Sequence, residues 1–365
     1  MNVHITLVGG QPAPVYNGIV ATQPDKVVFI YSEGTREAAN RISDELKNIP
    51  SERRRLDPVD LNDIELKVLQ CAEQFKGDTV TVNISGGTKP WAFYFAKVFG
   101  QMPNATLFYT DQNNMLWNLS NKTSNKIVFD MATHFRLHGN PLDKFTDYRT
   151  LDADDSRVLK QIDELMAFNG TSLFRLIAAM NDRPGQSEAV LKNGSSLVWN
   201  KAEKLFAVAL KQGSETLSKT LKSKNVRPLL LKAGWFECRI ARILSIWDKA
   251  KEVWWNCRFP YKDAATKNEI DVIVNASGKP LFVECKTQIN DVTDIDKFAS
   301  AVKNYGGLGS KALFVTYSKM NSHASEKCAD NGILTFSMSD THLCLSEEKA
   351  LLMLLDSELF NINAK

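Results

Sequence analysis

The sequence predicts an α/β protein with a mostly parallel sheet over residues 1–135, a mainly helical connector over 136–229 and a second α/β domain over 230–365. Three observations predict it. Short apolar runs alternate with amphipathic stretches through the first part, the pattern of β-α units. Helical spacing dominates the middle. Past residue 230 the chain reads helix, three strands, helix, strand. A length of 365 residues suits two or three domains.

In the first part the strand candidates are Val3–Val8, Val27–Tyr31, Thr79–Ile84 and Thr106–Thr110. Helical stretches run from Arg36 to Lys47, Asn62 to Phe75 and Pro90 to Gly100. In the connector, Val158–Phe168, Leu173–Met180 and Leu197–Lys211 carry apolar residues at helical spacing. In the last part, Gly234–Asp248 is a helix with a stripe of Phe236, Ile240, Ile243, Leu244 and Trp247. Strands Val253–Arg258, Glu269–Asn275 and Leu281–Lys286 follow, then a helix from Asp294 to Asn304 and strand Ala312–Thr316. Leu351–Leu355 reads as a docking helix.

Composition excludes several classes. Lys plus Arg total 45 and Asp plus Glu 42, a net +3, with 44% hydrophobic residues. That is ordinary for a soluble globular chain, and not for a disordered, collagen-like or coiled-coil one. No apolar run approaches the ~20 residues of a membrane span, so a cytoplasmic protein with no membrane partner is expected. Val3–Val8 lacks a basic flank and reads as a buried strand, not a signal peptide. The six cysteines form no CxxC pair, which disfavours a zinc ribbon or a disulfide scaffold and fits reduced thiols.

Three loops follow predicted strands: Gly9-Gly10-Gln11, Ser32-Glu33-Gly34-Thr35 and Ser85-Gly86-Gly87-Thr88-Lys89. In a parallel sheet all three open on one edge, where such sheets bind ligands. Gly86 and Gly87 let backbone N–H groups approach an anion. Thr88 adds a hydroxyl, Lys89 a charge, and Pro90 suits the first turn of a helix whose dipole favours phosphate. Ser32 and Thr35 could supply further hydroxyls. Each loop alone is equally well explained as a turn; the three together indicate a ligand edge. Neither a Walker A spacing nor GxGxxG is present.

The second constellation is Glu269-Ile270-Asp271 followed by Glu284-Cys285-Lys286. The turn residues Asn275 to Lys279 between them predict a hairpin. Strand alternation puts Glu284 and Lys286 on one face and Cys285 on the other, and register can bring Asp271 beside Glu284. Glu237, at the edge of the apolar stripe of its helix, can be directed toward the sheet. Converging carboxylates suit magnesium or manganese, and Lys286 can orient or deprotonate water or contact a phosphate. Such a centre cuts phosphodiester bonds; a structural ion pair is the plain alternative. Gln288, Lys303 and Tyr305 are candidate groove residues. Trp254 and Trp255, amid Lys249, Lys251, Arg258 and Lys262, are candidates for base stacking or for core packing.

The C-terminal residues Glu237, Asp271 and Glu284-Cys285-Lys286 resemble the PD-(D/E)xK nuclease superfamily. The N-terminal loops Ser32–Thr35 and Ser85–Lys89 resemble those of a CARF domain, the Rossmann-like sensor of CRISPR-associated proteins. The order of sensor, connector and restriction-endonuclease-like domain is similar to the ancillary nucleases of type III CRISPR systems. The resemblance implies a homodimer that binds cyclic tetra-adenylate through Gly9, Gly10, Gln11, Ser32, Thr35, Gly86, Gly87, Thr88 and Lys89. It implies Glu237, Asp271 and Glu284 as metal ligands that, with Lys286, cleave single-stranded DNA or RNA, or duplex DNA, in antiviral defence. A non-catalytic nucleotide-sensing regulator and a constitutive repair-type nuclease are the alternatives.

Overall fold

The computed structural model describes residues 1–111, 114–182, 185–261, 266–289, 292–307, 309–340 and 346–362. Lys262 and Cys344 lie outside them. The first sheet is built from β1 (Asn2–Leu7), β2 (Lys26–Tyr31), β3 (Ser51–Arg55), β4 (Thr79–Asn83), β5 (Ala105–Thr110), β6 (Met115–Asn118) and β7 (Thr123–Lys126). Helices α1 (Pro12–Thr22), α2 (Arg36–Glu45), α3 (Leu61–Gln74) and α4 (Lys89–Phe99) connect its parallel strands. The spatial order is β3-β2-β1-β4-β5-β6-β7, with β1 to β5 parallel and β6 and β7 antiparallel. Apolar side chains fill both faces, Val3, Ile5 and Val82 in one core and Val27 and Phe29 in the other.

Helix α5 (Met131–Leu137) belongs to two cores at once. Leu137 packs into a core of the first sheet, while Met131 and Phe135 pack among Trp254, Phe259 and Phe282 of the last part. The next strand, β8 (Lys144–Asp147), pairs antiparallel with the C-terminal sheet.

The connector is not mainly helical. The two expected helices 158–168 and 173–180 form one long α6 (Ala153–Asp182), kinked where Asn169 takes non-helical φ −155° and ψ 72°. After it, β9 (Glu188–Val190), β10 (Ser196–Asn200), β11 (Leu205–Gln212) and β12 (Glu215–Lys222) make an antiparallel meander. Leu197–Lys211, expected as helix, is therefore two strands and a turn. Phe206, Val208 and Leu210 are buried and alternate with exposed or half-buried neighbours, a period of two. Gly194 and Gly213 turn the hairpins with φ of 80° and 60°.

Helix α7 (Val226–Leu231) leads into α8 (Gly234–Ser245), β13 (Ala250–Pro260), β14 (Thr266–Ala276), β15 (Lys279–Lys286), α9 (Thr293–Tyr305) and β16 (Lys311–Thr316). These match the expected order. Then come α10 (Ser322–Asp330), β17 (Leu334–Ser337) and α11 (Glu347–Phe360). The sheet order is β17-β16-β15-β14-β13-β8. Helix α11 docks on α8: Leu351, Leu355 and Leu359 are buried, and Arg239–Glu347 and Arg242–Glu348 pair at 2.7 and 2.9 Å. Among the described residues, the five cysteines are free and buried, and no helix is long and apolar enough to cross a membrane.

Candidate active site and sensor edge

Strands β2, β1 and β4 are neighbours and parallel, so the three predicted loops do open on one edge. Their glycines have a local reason to be there. A Cβ on Gly86 would stand 2.3 Å from the Leu7 carbonyl oxygen, and one on Gly9 2.8 Å from the Gly87 nitrogen. Loops 9–11 and 85–89 thus pack backbone against backbone. Gly87 takes φ 75°, a conformation that other residues rarely adopt. Gly10 faces open space. The hydroxyl of Thr88 caps α4 by accepting from Trp91 N–H at 3.4 Å and donates to the Pro58 carbonyl at 3.1 Å. Ser32 and Thr35 bond each other in a capping box. Lys89 is exposed on the first turn of α4. The edge therefore offers an exposed ammonium beside a helix N-terminus, while its hydroxyls already serve the loops.

The acidic cluster is assembled from α8, β14 and β15. The β14–β15 register runs to Val272↔Val283, so Asp271 and Glu284 are the next facing positions. Opposite Asp271 on β13, the ladder skips from Trp255↔Val272 to Cys257↔Ile270. Asn256 takes φ 55° there, as asparagine tolerates. The register stays one for one across this position, and the register shifts of β13 lie elsewhere, at Ala250/Glu252 and Phe259/Pro260. Ile270 packs with Ile273 in one core while Val272 and Val274 pack in the other, so the strand changes face at Asp271.

Each acid has a partner. Asp271 Oδ2 accepts the Cys285 N–H at 2.7 Å, and Glu284 Oε1 meets Lys286 Nζ at 2.6 Å. Glu237 Oε2 accepts the indole N–H of Trp255 at 3.0 Å. Burial pushes the Glu237 carboxyl up to about 7, with the Trp255 bond opposing and Glu269 and Glu284 adding repulsion. Burial first, then Glu284 and Glu237, hold Asp271 well above the usual carboxylate range. Glu284 is raised by burial, against the pull of Lys286. Burial would lower Lys286, but Glu284 and Asp271 override it and its ammonium keeps its proton. In this arrangement Lys286 donates to Glu284. Glu269 and Asp294 add further negative charge at this end of the sheet.

The structure brings Glu237, Asp271, Glu284 and Lys286 together. Tyr305 is 2% exposed, stacked on Phe259 at 3.9 Å with its hydroxyl on Asn268, and is a core residue. Lys303 lies nine residues along α9 from Asp294, ~13 Å from the acidic end. Gln288 is exposed beyond the end of β15. Neither tryptophan stacks bases: Trp254 is buried on Phe145 at 4.0 Å, and Trp255 is buried holding Glu237. Asn256 and the Trp255 contact were the parts sequence reasoning missed. The one available signal was a polar Asn256 inside an apolar strand. Among the described residues, no group of three or more His, Cys, Asp or Glu stands in metal-ligating geometry.

A parallel α/β domain joined to a second α/β domain with a carboxylate–lysine cluster is the class of protein that this fold defines. Residues 3–138 match the family model described as the Card1 CARF domain. No curated protein matches the chain in sequence. Over its whole length the chain shares its fold with three solved structures. Can2 from Sulfobacillus thermosulfidooxidans, solved with cyclic tetra-adenylate, matches with TM-score 0.69 at 18% identity, over 97% of this chain and 98% of that one. Protein VC1899 from Vibrio cholerae matches with TM-score 0.75 at 16% identity, over 98% of both chains. A type III CRISPR defence DNA nuclease activated by cyclic oligoadenylate matches with TM-score 0.54 at 14% identity, over 94% of this chain and 52% of that one.

Proposed function

We propose that this chain is a metal-dependent nuclease of type III CRISPR defence, switched on by a cyclic oligoadenylate, cyclic tetra-adenylate by analogy with the ligand of Can2. The observation that carries the reading is the meeting of Glu237, Asp271, Glu284 and Lys286 at one end of the second sheet, in a chain whose residues 3–138 match a CARF domain model. The donor chemistry fits magnesium or manganese: buried carboxylate oxygens that raise one another's pKa are a set that a hard cation relieves. Glu237, Asp271 and Glu284 would hold it. Such an ion polarises a phosphoryl oxygen and activates water.

The chain's own groups do the rest. Lys286 keeps its proton and is placed to donate to a phosphate oxygen. Trp255 fixes the Glu237 carboxylate, and the Cys285 N–H fixes Asp271. At the other end of the chain, Lys89 and the backbone of Gly9, Gly10, Gly86 and Gly87 form the anion-binding edge, with Gln11, Ser32, Thr35 and Thr88 around it. Exposed Leu66 and Leu69 on α3 and Phe93 on α4 give the sensor an apolar face suited to a second copy. A ring of two-fold symmetry suits an isologous pair.

One observation favours a second reading, a regulator that binds nucleic acid without cutting. Every acid is engaged by the protein itself and no ligand trio is preformed among the described residues. A cleavage panel of single- and double-stranded DNA and RNA, with activators of different ring sizes in magnesium and manganese, separates the two. Cleavage that requires activator and metal, falling at least a hundredfold in Lys286→Ala with activator affinity intact, is expected. A wild type that binds activator and strand but never cuts leaves the regulator.

A further inference from the structure

The meander and the turn into α7 carry a charge that the rest of the chain lacks. Residues 185–232 hold nine Lys and Arg against three Glu, or 9 − 3 = +6. The whole chain is +3, so the remainder is 3 − 6 = −3. Of these nine cations only Lys219 has a carboxylate partner among the described residues, Glu164.

The others are gathered by the strand register. Leu205 faces Lys222, so Lys201 and Lys204 in the β10–β11 turn lie beside Lys222 and Lys224, with Arg227 on the first turn of α7. All five are exposed, and Glu203 is the one acid within this stretch of turn and strand end. At the opposite end, Lys211 lies against Gly194, near Lys192. Between the two ends the outward face is Ser196, Val198, Ala207, Ala209, Ser218 and Thr220, with Val190 and a single acid, Glu188, on the β9 edge. Lys204 to Lys211 spans ~24 Å of strand, the length of about seven phosphates along one strand of a duplex.

We propose that this face binds the sugar–phosphate backbone of a nucleic-acid strand, holding it by charge while the carboxylate–lysine cluster acts on it. The inference rests on the nuclease reading for the identity of the strand as substrate. The connection is short: α7 follows the cation cluster directly, and Glu237 stands ten positions after Arg227. A flat face of small residues flanked by lysines reads no sequence, so binding is sequence-tolerant and strongly salt-dependent.

The test is fluorescence anisotropy of end-labelled 30-nucleotide single strands and duplexes with the full chain, in EDTA, across a salt series. Lys201→Glu, Lys204→Glu, Lys222→Glu and Lys224→Glu together should weaken binding more than tenfold. The slope of log affinity against log salt should fall by about 3 for a single strand and about 3.5 for a duplex, at ~0.7 and ~0.9 per lost phosphate contact. The same four positions changed to Gln serve if the reversed-charge protein melts early, with a smaller loss expected. Unchanged affinity and slope in a folded quartet overturn the proposal. So does an equal loss from reversing Lys47, Lys76, Lys122 and Lys126 on the sensor. Because no cleavage is needed, the two readings fail separately. A quartet effect in a protein that never cuts keeps this surface and removes the nuclease; activator-dependent cutting with a silent quartet does the reverse.

Discussion

Glu237 is held by the Trp255 indole while burial and two neighbouring carboxylates drive its pKa up to about 7. A carboxyl whose folded pKa exceeds its unfolded value contributes stability below the unfolded value, near 4.5, and loses it as pH rises through the folded one. In metal-free protein, Glu237→Gln should therefore melt higher than wild type at pH 8, by an amount on the order of 2 kcal/mol, and no higher at pH 4. Thermal melts in EDTA at the two values check it; an equal difference at both would remove the buried charge as its cause. At this scale the sequence was partly legible. Alternation in Val-Glu-Cys-Lys fixed which faces Glu284, Cys285 and Lys286 take. The break opposite Asp271 was hidden, because it depends on Asn256 entering a left-handed conformation that no spacing announces. Tyr305 misled because a helix end can be surface or core, and only the Phe259 stack decides it.

Helices and strands that repeat an apolar period over a long stretch were readable: α3, α4, α8, β13, β14, β15 and α9 fall where expected, within a few residues at their ends. Those that violate composition rules were not. Helix α1 starts Pro-Ala-Pro and contains Gly18, and β3 is Ser-Glu-Arg-Arg-Arg on a sheet edge, where one row of side chains faces water. The meander was misread because Leu197 to Lys211 satisfies helical spacing loosely and strand spacing better, and the Asn193-Gly194 turn went unused. Two elements carry predictions. Leu355 on α11 is fully buried against α8, so Leu355→Ala should cost about 2–4 kcal/mol by chemical denaturation. On α5 and at its C-cap, burial lowers His134 and His138 to about 4. Both are neutral when folded and protonate near 6.5 when unfolded, so their stability is present above 6.5 and lost as pH falls toward 4. Each ring should steepen that loss by up to about 1.4 kcal/mol per pH unit, and His138→Gln should flatten it.

For the molecule as a whole, the proposed pairing through α3 and α4 gives a direct expectation. Phe93 is 61% exposed, so Phe93→Asp should leave folding intact. If the pair forms there, light scattering should report a monomer for this variant and a dimer for wild type, with activator affinity falling in step. Lys89→Ala should weaken activation while the assembly stays paired, which separates ligand contact from pairing. One feature of the architecture bears on all such experiments. Because α5 contributes side chains to both halves, and His134 bonds the Gly306 carbonyl at 3.2 Å, severing the chain near residue 138 would strip one fragment of a plug and leave the other with greasy stubs in water. Neither fragment should express as a clean, monodisperse product, and kinetics borrowed from a truncated catalytic piece would describe a damaged object rather than an unleashed enzyme.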